Sequence, residues 1–134
     1  MDIETVLVAY LLAHTGTKAL IGTRLYPDVL PQEEPLPALV YQSISDVKLH
    51  SLTGQYGLEQ PIYQITVYGA TRATAKAVAA QVKSALCDYS GDMGGITVQK
   101  IELQTELTSL ETTSDGTVEI VAVDLEFQIF YNKE

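Results

Sequence analysis

The stretch TVEIVAVDLEFQIFY, residues 117–131, constrains the fold more than any other part of the chain. Val121, Val123, Leu125, Phe127, Ile129 and Tyr131 occupy alternate positions, and Asp124, Glu126 and Gln128 fall between them. A period of two belongs to a strand, whose successive side chains leave on opposite faces. This strand therefore has one face to bury and one that is solvated or covered by a polar partner, the habit of an antiparallel sheet. Other segments must supply strands beside it and apolar helices beneath it.

Three segments supply the strands. Residues 38–47, ALVYQSISDV, are rich in strand formers. In PIYQITVY, residues 61–68, Tyr63, Ile65 and Val67 share one face and Ile62, Gln64, Thr66 and Tyr68 the other; Pro61 is tolerated as the first residue. Residues 96–107, ITVQKIELQTEL, read as a third strand with a slip of phase near Gln99 and Lys100. Arg24–Tyr26 form a short extended piece within RLYPDVLPQEEPLP, whose four prolines remove backbone donors.

Two segments supply the main helices. Ile3, Val6, Leu7, Tyr10, Leu11 and His14 recur at intervals of three and four, with Asp2 placed to cap the start and Gly16 to end it. Lys18–Ile21 allow one further short turn. In TRATAKAVAAQVKSALCDY, Ala75, Val78, Ala79, Val82, Ala85 and Leu86 form a stripe of small residues behind the N-cap Thr71. Such a helix can approach a sheet closely. YSGDMGG and ETTSDG read as turns. The order predicts an α+β fold: a single domain over residues 1–134, a mostly antiparallel β-sheet, and two main helices packed on one face.

The 134 residues suffice for one ordinary core. No apolar run approaches the ~20 residues that span a bilayer, so no membrane is expected, and the acidic start reads as part of the fold rather than a leader. One cysteine, Cys87, allows no internal disulfide, which suits a reducing cytoplasm. The net charge of −9 argues against a broad phosphate-tracking surface and for solubility.

A search for chemistry returns little. His14 reads as a cap or a partly buried ring, and His50 has no ligand spacing around it. Cys87 has no base nominated beside it and reads as packing. GDMGG follows a helix and precedes a strand, the reverse of a phosphate cradle, and DYSGD and TSDG lack the spacing of a calcium loop. Glu102, Glu106, Glu119 and Glu126 read as strand carboxylates on an exposed face. No catalytic residue, cofactor or metal site is expected. The alternatives are a small-ligand or protein-binding α+β module of unknown partner, the small ligand held in a pocket of Tyr41, Tyr63 and Tyr68, and an enzyme whose site is completed only between subunits.

Residues 49–60, LHSLTGQYGLEQ, read as a long connection between two strands, where a short turn would do. Within it His50, Leu52, Tyr56 and Leu58 are the candidates for contact with a neighbour, Tyr56 and Leu58 carrying most of the area to bury. Deleting residues 51–58 is expected to leave a folded monomer.

The order of ETVLVAYLLAHTGTKALIG, TRLYPDVLPQ, PLPALVYQSIS, HSLTGQYGLEQPIYQITVYGATRATAKAVAAQVKSAL, YSGDMGGITVQ and the final FQIFY resembles the phage tail-completion, or head–tail joining, family across nearly the whole chain. The resemblance carries no catalytic motif. It implies a tail-terminator-like structural protein of the virion that caps the tail tube and joins it to the head connector, as a homo-oligomeric ring, a hexamer favoured. It implies as partners further copies of the chain, the tail tube protein and the head connector, with DNA passing through without specific binding. The expected location is the head-proximal end of the tail, after assembly in the host cytoplasm. A ring needs a heterologous interface, so each subunit must offer two different surfaces.

Overall fold

The computed structural model describes residues 3–30, 35–51, 54–112 and 119–132. Helices α1 (Ile3–Ala13), α2 (Thr15–Ile21) and α3 (Arg72–Leu86) accompany strands β1 (Leu25–Pro27), β2 (Ala38–Ser51), β3 (Gly54–Gly69), β4 (Gly91–Met93), β5 (Ile96–Thr112) and β6 (Glu119–Asn132). The strands make a 6-stranded sheet in the order β1-β2-β3-β6-β5-β4. Only β1 against β2 is parallel; the other pairings are antiparallel. The expected α+β domain is therefore what the chain forms.

The alternation in β6 explains the layering. Val121, Val123, Leu125, Phe127 and Ile129 are buried in one cluster with Leu39, Tyr63, Ile65, Val67 and Ile101 from the other strands. The same cluster holds Ile3, Val6, Leu7 and Leu11 of α1, Ile21 of α2, and Ala75, Val78, Ala79, Val82 and Leu86 of α3. All three helices thus cover one face. Burying a side chain such as Val82 or Leu86 contributes about 1.5–3 kcal/mol.

Small residues set how close α3 comes. Thr71 caps it, its Oγ1 accepting from the Thr74 N–H. β3 ends at Gly69, two residues short of the helix, and a Cβ there would lie 2.9 Å from the backbone nitrogen of Ala75. That distance is too short for any side chain without moving the helix. Tyr10 of α1 then ties the helices together, its hydroxyl donating to the Ala85 carbonyl at 3.1 Å. Its ring meets Tyr89 edge to face with centroids 5.0 Å apart.

Several local expectations need correction. Gly16 does not end the first helix: α1 stops at Ala13, and Gly16 lies inside α2. His14 is the N-cap of α2, its Nδ1 accepting from the Thr17 N–H, so the ring does satisfy a cap, but that of the following helix. The glycine-rich turn contains β4, and Gly94 and Gly95 take positive φ beyond it. The slip near Gln99 and Lys100 is present as a register shift between Val98 and Lys100, and a second falls between Leu103 and Thr105. Asp2 and most of the ETTSDG turn lie outside the described residues.

The opposite sheet face is only partly solvated. Ala38, Val40, Thr66 and Ala122 are buried there, outside the main cluster. Across it Gln64 Nε2 donates to Thr66 Oγ1 at 3.1 Å, and that hydroxyl donates to Asp124 Oδ1 at 2.8 Å.

Candidate functional site

The segment expected to be a loop is mostly sheet. β2 runs to Ser51 and β3 begins at Gly54, with His50 opposite Gln55 and Ser51 opposite Gly54. The reading as a long connection was wrong, because polar and glycine residues do not end strands that can pair with each other. Leu58 lies opposite Asn132, the last paired position of β6. Residues 54–57 and their partners on β2 therefore run on past the end of β6 as a two-stranded arm. Of the four candidate contact residues, His50 is in β2, Tyr56 and Leu58 are in β3, and Leu52 lies outside the described residues. A deletion of 51–58 would cut into β3 and its pairing with β6, so point substitutions are the cleaner probe.

A polar pair marks the root of the arm. Glu59 is buried, and the Tyr131 hydroxyl donates to its Oε2. The two residues are direct partners across β3 and β6. Neither stood out in the sequence. The only signal was an acid at a position where the alternation of Pro61, Tyr63 and Ile65 points inward.

The residues considered for chemistry are not brought together. Cys87 follows α3, partly buried, and burial foremost, with Asp88 adding to it, pushes its thiol up, which makes it a poor nucleophile. Glu106 is held by Lys83 at 2.9 Å and Lys76 at 3.4 Å. The hydrogen bond from Lys83 chiefly lowers its pKa, and Lys76 also donates to Thr108 Oγ1 at 2.7 Å. These contacts clamp α3 to β5. The clamp was legible in principle, since Lys76 and Lys83 are two helical turns apart on one face. Glu102 pairs with Lys100 at 2.8 Å on β5.

Tyr41 and Tyr63 pack with the core beneath the helices, whereas Tyr68 lies opposite Ala38 and Ala122 on the other face. The three tyrosines cannot line one pocket. An open groove of about 600 Å³ lies instead along Gln99, Lys100, Glu102, Phe130 and Asn132. Among the described residues, no group of three or more His, Cys, Asp or Glu side chains is placed to hold a metal ion.

What the geometry does offer is unpaired strand. β1 borders β2 only along Leu39–Tyr41, and the Asp28 N–H donates to the Tyr41 carbonyl at 2.9 Å just beyond it. β4 borders β5 only along Ile96–Val98, and the Asp88 N–H donates to the Ile101 carbonyl at 3.0 Å. Among the described residues, no strand borders β2 from Gln42 to Ser51 or β5 from Glu102 to Thr112.

The family model described as tail completion protein gp17 matches residues 5–131. A chain from a structure described as the virion of a native gene transfer agent particle has the same fold. Its TM-score is 0.78 at 20% identity, over 97% of this chain and 94% of that one. A second solved chain, 14% identical, aligns over 100% of both chains with a TM-score of 0.54. No curated protein matches the sequence. A family match over this span shows the family, and with it the kind of work: the chain belongs to the tail completion protein gp17 family, structural proteins of the phage tail.

Proposed function

We propose that copies of this chain form a ring, a hexamer favoured, that ends the tail tube and joins it to the head connector. The observation that carries this reading is the arm of β2 and β3, which runs past the end of β6 from a rigid, helix-backed sheet. Such an arm gives each copy reach toward a neighbour, the tube or the connector. His50, Leu52, Tyr56 and Leu58 are the proposed contact residues. That a chain of this fold is part of a gene transfer agent particle supports a place in the virion. Assembly takes place in the host cytoplasm, and the finished ring lies at the head-proximal end of the tail. The charge of −9 per copy favours passage of DNA without adhesion.

The test is electron microscopy of particles made without the protein. Separated heads and tails indicate joining, and tails of uncontrolled length indicate termination; joined particles at normal yield refute the proposal. Complementing with Tyr56→Ser and Leu52→Ser together should return folded protein but few joined particles. If joining were fully restored, the arm would have no part in it.

A further inference from the structure

The two open edges lie at diagonal corners of the sheet. β1 and Asp28 cover the β2 edge at the level of Leu39–Tyr41, and among the described residues nothing covers the arm end. β4 and Asp88 cover the β5 edge at the arm end, and among the described residues no strand covers Glu102–Thr112 at the other. The levels follow from the register. Leu107 lies opposite Asp124, Asp124 opposite Thr66, and Thr66 opposite Val40, which is below the open part of β2.

The β5 edge lacks the usual defences of an exposed edge, and the β2 edge carries a single lysine, Lys48. Proteins blunt such edges with proline, lysine or a covering segment. From Glu102 to Thr112 the sequence is ELQTELTSLET, with neither proline nor lysine. Leu107 and Leu110 there are 58% and 66% exposed. The β2 stretch, QSISDVKLHS, also lacks proline, and its Ile44 is 45% exposed.

We infer that the β5 edge of one copy pairs with the β2 edge of the next, so that the sheet continues from subunit to subunit. Three observations select this occupant. First, β2, β3, β6 and β5 alternate in direction, so β5 beside the β2 of another copy is antiparallel and extends the alternation. Second, β5 against β5 would set Glu102, Glu106 and Glu111 against the same acids, a repulsive arrangement across strands. The β2 stretch brings Lys48 and His50 beside a single acid, Asp46.

Third, the diagonal placement gives the shear that closure requires. The middles of the open stretches differ by about six or seven residues along the strands, roughly 20 Å, across four strands that span roughly 19 Å. Stepping sideways and along by these amounts tilts the strands by about 45° from the ring axis, close to the 35–45° of closed barrels. A join with this offset gives the strands the tilt that a closed ring of sheet requires. It also lays the outer strand of the arm on the neighbour's β5, which names the neighbour that the arm touches.

The inference rests on the ring reading and makes it specific. Hydrogen exchange tests it, comparing dilute protein with concentrated protein and with purified tails carrying it. Amides of 42–51 and of 102–112 should gain at least tenfold protection together, in the tails or in the concentrated protein. Leu107→Lys with Leu110→Lys should abolish both gains while the thermal melt of the dilute protein stays unchanged. Protection of one stretch without the other, or of neither in both samples, would overturn the pairing. If both edges were protected but heads and tails joined without the protein, the joining role would fail and the pairing stand. If joining needed the protein but the edges stayed unprotected, the pairing alone would fail.

Discussion

The middle of the sheet and the arm are made of the same two strands under opposite rules. Between Tyr63 and Val67, β3 has β2 on one side, β6 on the other and α3 beneath, and its inward side chains are buried. Past Leu58, β3 has only β2 as a described strand partner. An isolated two-stranded ribbon is marginal in water. The middle therefore holds itself together, while the arm gains most from a third strand supplied by another molecule. The difference separates residues that keep the fold from residues of the proposed contact arm, and substitutions can probe each side.

The largest effect belongs to the middle. Phe127 is fully buried in the core between the sheet and the helices, and Phe127→Ala should cost about 3–5 kcal/mol in denaturant unfolding of the free chain. Gly69→Ala comes next. Its methyl would press on the Ala75 backbone, and about 1–3 kcal/mol should be lost as α3 is pushed off the sheet. A smaller loss would mean that the helix seat is less tight than the 2.9 Å approach implies.

Tyr131→Phe sharpens the boundary between the regions. It removes one donor from buried Glu59, at a cost of about 0.5–1.5 kcal/mol. Faster exchange of arm amides, with the middle unaffected, would locate the pair's effect at the arm root. Uniform loss throughout would show that the two regions unfold as one.

Glu106→Gln should have the smallest effect, under ~1 kcal/mol, because the contacts with Lys83 and Lys76 are largely exposed. The folded carboxyl titrates below its ordinary 4.5, so its contribution is present above that value and is lost as pH falls through the lowered folded value. Variant and parent should therefore converge in stability in acid. A gap that persisted there would mean that packing, not charge, sets the cost.

The parts of the fold that were legible in the sequence are those where one periodicity decides burial. The alternation through Val121–Ile129 and the stripe from Ala75 to Leu86 each name a buried face without knowledge of the partner. The arm was misread because His50, Gln55 and Gly54 have weak strand preferences, and only pairing between the two segments makes them strand. The diagonal edges were invisible for a related reason. They depend on where β1 and β4 stop alongside longer strands, which is a property of register between segments far apart in sequence. Glu59 and Tyr131 meet only because β3 and β6 are neighbours, a contact that neither segment announces.

The pairing of Glu59 with Tyr131 has a mechanical consequence. The arm is a cantilever, and its fixed end is where β3 gains β6 as a second neighbour. A side-chain hydrogen bond across the two strands at that point resists their splaying. A push at the tip would then load β6, whose inner face shares the core with the helices. In the proposed ring, a displacement of one subunit would reach the next through the root of the arm rather than through the core.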